Sequence, residues 1–171
     1  GVELFFIISG FVILMTIERK KLVREFAISR VARLMPAFLA SLILATAILT
    51  VLPMAPLNTP TLPQFLANLT MAPSLFGETG VDLTYWTLTY ELVFYVFMAL
   101  ILRAGLLGSI EWLGLLAVAV GCLFLATMDA ELHRRSGIVL LVHYSNFFLI
   151  GICLYRICMG AARPITYLAL V

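Results

Sequence analysis

A chain of 171 residues that is 63% hydrophobic, only 12% charged and of mean hydropathy +1.11 is no ordinary soluble globule. Its net charge of +2, with no basic face interleaved by aromatic residues, argues against a nucleic-acid binder. Cys122, Cys153 and Cys158 lack CxxC or paired-His spacing, which argues against a disulfide framework or a zinc site and leaves them as packing residues.

A hydrocarbon core about 30 Å thick takes about 20 apolar helical residues per crossing. In chain order, segments near 2–17, 34–52, 87–103, 110–128 and 138–158 qualify, and another begins at Pro164. The predicted fold is all-α, a multi-pass transmembrane bundle with about five to six membrane helices. Residues 1–171 read as one partial membrane domain, truncated at both ends, because Gly1 opens directly onto an apolar run.

Basic residues orient such a bundle. The connection 18–33 holds Arg19, Lys20, Lys21, Arg24, Arg30 and Arg33 and is expected in the cytoplasm. The connection 53–85 has none, carries Glu78 and Asp82, and is expected outside. Alternation then puts Arg103, Arg156 and Arg163 inside and Arg134 and Arg135 outside, so nine of eleven basic residues share one side. The inner connection is predicted to become an interfacial helix over 25–34, with a kink or a fresh helix start at Pro36. Pro53, Pro56, Pro60 and Pro63 interrupt the outer connection, leaving 64–71 as a short amphipathic segment suited to the interface. Asn68-Leu69-Thr70 matches a glycosylation acceptor, a short pattern that weighs little.

The chemistry-bearing candidates are charges at membrane depth, where a carboxylate costs roughly 2.5–3.5 kcal/mol to insert. Glu91 interrupts an apolar run, and helical spacing places Thr87, Glu91 and Tyr95 on one stripe. It lies roughly 7–8 Å inward from Trp86, an expected interfacial anchor, and so near the outer leaflet. Glu3 opens the first segment at a similar expected depth, followed by Ser9 and Gly10, small enough for close helix approach. Arg30 and Arg33, three residues apart at the inner side, could grip phosphates as a pair of guanidiniums. His143 has no acid at fixed spacing and reads as a hydrogen-bonded structural residue, and His133 reads as a solvated loop residue. No GxGxxG, P-loop or HExxH is present, so dinucleotide, ATP and metalloprotease mechanisms gain no support.

Three stretches together resemble the acyltransferase-3 family of integral-membrane O-acyltransferases. Gly1-Val2-Glu3-Leu4-Phe5-Phe6-Ile7-Ile8-Ser9-Gly10-Phe11 is similar to its GV[DE]xFFxxSGF signature. Phe26 to Pro36 resembles its FxxxRxxRxxP element, and Trp86 to Tyr95 its WTLSYExxFY element, with Thr89 where Ser is usual. Phe147 to Gly151 resembles a weaker F-x-x-x-G stretch. The resemblance implies transfer of an acetyl-like group from acyl-CoA to a carbohydrate or lipid-linked envelope acceptor, in a bacterial cytoplasmic membrane. It implies Arg30 and Arg33 as donor-phosphate contacts and Glu91, with Glu3 in support, in the polar interior. It also implies a catalytic His on a preceding helix that these residues do not include. Acyl-CoA enters as donor substrate, and no bound cofactor or metal is called for. Membrane lipid is the surrounding partner, and nucleic acid is not one. The rival readings are an exporter of a small anion or lipid-linked glycan using the same carboxylates as relays, and a non-enzymatic scaffold.

Overall fold

The computed structural model describes residues 1–52, 59–82, 84–127 and 144–170. Pro53, Pro56, His133, Arg134, Arg135, His143 and the first part of the expected 138–158 segment lie outside them. Among the described residues all regular structure is helical, with no strand. The α-helices are α1 (Val2–Lys20), α2 (Val23–Val51), α3 (Leu62–Asn68), α4 (Trp86–Arg103), α5 (Ile110–Thr127), α6 (Ser145–Cys158) and α7 (Pro164–Leu168). Single 3-10 turns at Pro73–Phe76 and Leu106–Ser109 punctuate the connections.

Length and apolar content suit three segments to crossing a membrane: Val23–Val51, Trp86–Arg103 and Leu106–Thr127. Only 17% of the first and third is buried, so most of their apolar surface faces outward, as lipid-facing helices require. α1 matches α4 in length but carries Glu3 at one end and Glu18, Arg19 and Lys20 at the other. The chain is thus a multi-pass membrane protein.

Two elements differ from the sequence expectation. The inner connection shrinks to Lys21 and Leu22, because Lys21 takes a left-handed conformation (φ 56°) and its N–H closes onto the Ile17 carbonyl at 3.0 Å. No separate interfacial helix forms, and Pro36 does not start a new one: α2 runs unbroken through it for 29 residues. Pro36 removes one backbone hydrogen bond, yet a helix in lipid has no better state for its remaining backbone groups. The short segment of the outer connection forms as expected. Thr61 caps α3 by accepting the Gln64 N–H at 3.3 Å, and Pro63 occupies the first turn, where its missing donor is harmless.

The chain divides into two compact units, residues 1–27 with 93–171, and residues 28–92. In the first, α1 packs along α6. Gly10 lies against the Phe148 backbone and Gly151 against the backbone of Ile7 and Phe11, so a Cβ at either would overlap main-chain atoms. This reciprocal small-residue crossing is the physical reason for the Ser-Gly-Phe and F-x-x-x-G stretches, and it brings out Ser9-Gly10 as a close-approach site. Phe6 is fully buried beside Phe148 (ring centroids 4.9 Å) and Tyr144 (4.7 Å), and Phe94 stacks on Phe148 at 3.9 Å. In the second unit, Phe38, Leu42 and Leu49 of α2 form a core with Met71, Val81 and Tyr85.

Candidate active site

The second unit holds Arg30, Arg33, Thr87 and Glu91 together. Within it, Tyr85, just before α4, shares a hydrogen bond with Ser41 of α2 (2.9 Å) and meets Phe38 edge-on at 5.3 Å. Counting from that contact, Arg30 is about 12 Å along α2 from Phe38 and Glu91 about 9 Å along α4 from Tyr85. Within the first unit, Phe26 meets Tyr95 edge-on at 6.2 Å.

Both side chains are buried, Arg30 at 7% and Glu91 at 5% exposure, and both are engaged by partners. Arg30 also donates from Nη2 to Ser29 Oγ at 3.4 Å. Both are thus buried, opposite charges of the second unit, the makings of a polar layer in an apolar core. Such a layer persists only where its charges are compensated. The sequence put Arg30 on a separate interfacial helix, whereas it lies two turns inside the unbroken α2, and both it and Glu91 are buried in one unit.

The two arginines part company. Arg33 is exposed where Arg30 is buried, so they do not present guanidiniums to one surface. Glu3 belongs to the first unit and is exposed, its carboxylate 3.4 Å from the amino group of Gly1. Tyr95 is buried, and Thr87 is half-buried with its hydroxyl donating to the Thr84 carbonyl at 2.9 Å. Trp86 is exposed and packs edge-on against Tyr90 at 5.9 Å, as an interfacial anchor would. Among the described residues, no group of three His, Cys, Asp or Glu gathers as a metal ion would need.

Three features escaped the sequence reading. Asn68 is fully buried, its amide donating to the carbonyls of Gln64 (2.8 Å) and Thr79 (3.0 Å) and its oxygen accepting the Val81 N–H (3.1 Å). A side chain so used cannot accept a glycan, so the sequon is a structural staple. Thr89, 2% exposed, donates to the Met71 carbonyl at 2.8 Å. In the first unit, Arg156 bonds Glu18 (3.1 Å) and the Leu107 carbonyl (3.0 Å) and lies 3.6 Å from Glu111, which is itself 2% exposed. Tyr155 adds a hydrogen bond to Glu18 (3.0 Å), and Thr166 lies 3.3 Å from Glu111. A basic residue near a membrane edge reads as an anchor in any sequence; only the fold reveals the carboxylates around it.

Comparison with known families decides the class. The Acyl_transf_3 family, an acyltransferase domain, matches residues 1–159. The chain belongs to the acyltransferase-3 family. The acyltransferase is therefore a transferase of acyl groups other than amino-acyl groups, as the three sequence elements implied. No curated protein and no solved structure matches it significantly. The three elements correspond to distinct structural tasks in the acyltransferase: the first builds the α1–α6 crossing, and the second and third supply Arg30 and Glu91.

Proposed function

We propose that the acyltransferase moves an acetyl-like group from acyl-CoA to a hydroxyl of a carbohydrate or lipid-linked acceptor in the cell envelope. The observation that carries this reading is the burial of Arg30 and Glu91 in one unit of the family-matched domain. Buried charge is costly in a membrane domain, which favours a chemical use for it. Arg33, exposed one turn further along α2, offers its guanidinium to the phosphates of the donor from the basic side. Arg30, nearer the basic end of α2 but buried, turns positive potential into the interior of the unit toward the thioester. Glu91 is the carboxylate that orients this polar interior.

In the transfer, the acceptor oxygen attacks the thioester carbonyl, the carbon–sulfur bond breaks, and CoA leaves as its thiolate, which takes up the proton that the general base has collected. The hydroxyl proton passes to a general base, which the family resemblance assigns to a His on a preceding helix of the intact protein. The basic end of the bundle is taken as cytoplasmic and the connection around α3 as external, following the bias of Lys and Arg. The membrane is taken as the bacterial cytoplasmic membrane.

The test uses the intact protein in its native membrane, with radiolabelled acetyl-CoA and envelope polysaccharide from the same cells. Label is expected in the polysaccharide, released by mild base as an ester, and lost when the gene is deleted. Consumption-free export of unmodified glycan, with no label transferred, would favour the exporter reading and overturn this one.

A further inference from the structure

We infer that Thr89 is a positioning residue for the acceptor side of the transfer, pinning the connection that lies against α4 two residues before Glu91. This rests on the acyl-transfer reading above, with the acceptor reaching Glu91 from the connection around α3. The latch is built from several observations within one unit. Thr89 Oγ1 donates to the Met71 carbonyl at 2.8 Å, and both residues are buried. Met71 adopts φ 60°, a left-handed conformation uncommon for a side chain of its size, so something must hold the turn there. Part of the hold is Thr70, whose hydroxyl donates to the Ala67 carbonyl at 2.7 Å and accepts the Ala72 N–H at 3.2 Å.

From that turn the restraint spreads. Asn68 ties α3 to the carbonyl of Thr79 and the N–H of Val81, and Gln64 Nε2 donates to Thr79 Oγ1 at 2.9 Å. Val81 and Met71 then enter the same apolar core as Tyr85, whose hydroxyl meets Ser41. The segment 62–82 is thus a strap fixed at its middle by one α4 hydroxyl and at its end by the start of α4. An acceptor reaching Glu91 from this side passes the strap, so its placement sets how the acceptor docks. The contact with Met71 needs a hydroxyl at position 89, which either Thr or Ser supplies.

The experiment compares Thr89→Val, Thr89→Ser and Asn68→Ala in the intact protein. Two readouts are taken: hydrogen exchange over 68–82 and steady-state transfer from acetyl-CoA to envelope polysaccharide of the source cells. Thr89→Val keeps the shape and removes the donor, so exchange over 68–82 is expected to rise about five- to tenfold. The half-saturating polysaccharide concentration should rise by a similar factor, while that for acetyl-CoA and kcat stay within about twofold. Thr89→Ser should behave as wild type in both, and Asn68→Ala should reproduce the Thr89→Val split from the other end of the strap. Unchanged exchange in Thr89→Val would overturn the latch. Faster exchange with an unchanged acceptor dependence, or with donor and acceptor affected alike, would overturn the acceptor role. A wild-type protein that transfers no label would bring down the acyl-CoA reading and the acceptor role with it, while exchange would still report whether the latch exists.

Discussion

Two regions of the molecule bury charge, and they do so differently. Around Arg156 in the first unit, the guanidinium meets two carboxylates and a main-chain carbonyl from three other elements. Those contacts hold α1, α5 and α6 together. Around Arg30 in the second unit, the buried pair stands one turn from an exposed arginine and beside a half-buried threonine on α4. The comparison teaches that burial of a charge does not by itself mark chemistry. What distinguishes the second region is that its buried charges share the unit with an exposed arginine and a half-buried threonine.

The sharpest way to break this contrast is Glu91→Gln, which removes charge and keeps shape. Transfer activity is expected to fall about 100-fold or more, with the protein extracted from membranes at wild-type yield. Equal loss of yield and activity would make the second region as structural as the first. The mirror experiment is Arg156→Ala, which strands the buried Glu111 carboxylate. A stability loss of about 3–5 kcal/mol is expected, seen as a lowered unfolding midpoint in detergent, with the specific activity of the surviving fraction retained. Specific activity falling while stability holds would move Arg156 into the chemistry.

A smaller effect separates the two arginines of the signature. Arg33→Ala should raise the half-saturating acyl-CoA concentration about tenfold and leave kcat within about threefold, as expected for an exposed donor contact. The smallest effect lies outside both regions. Lys21→Gly should stabilise by up to about 1 kcal/mol, since glycine takes the left-handed conformation of that turn without strain, and activity should not change. A drop in stability would show that the side chain of Lys21 does more than end α1.

Much of this arrangement was legible in the chain. Apolar runs located the helices, and Ser9-Gly10 announced a close crossing. Glu91 stood out because a carboxylate within Trp86–Tyr95 has no bland neighbours of its own kind. What could not be read was partnership. Pro36 suggests a break in any single sequence, yet the membrane keeps α2 whole, and that continuity is what buries Arg30 and exposes Arg33. Asn68-Leu69-Thr70 carries a sequon whether or not its amide is sewn into a loop. Glu111 and Arg156 are 45 positions apart, and no local pattern predicts their meeting.

The account stands on Arg30 and Glu91 acting as one unit, and a double-mutant cycle measures that directly. Acyl transfer is compared in wild type, Arg30→Gln, Glu91→Gln and the double variant, with extraction yield as the control for folding. Coupled residues predict a double variant no worse than the more impaired single variant. Losses that multiply, each single factor recovered in full in the double, would contradict the account.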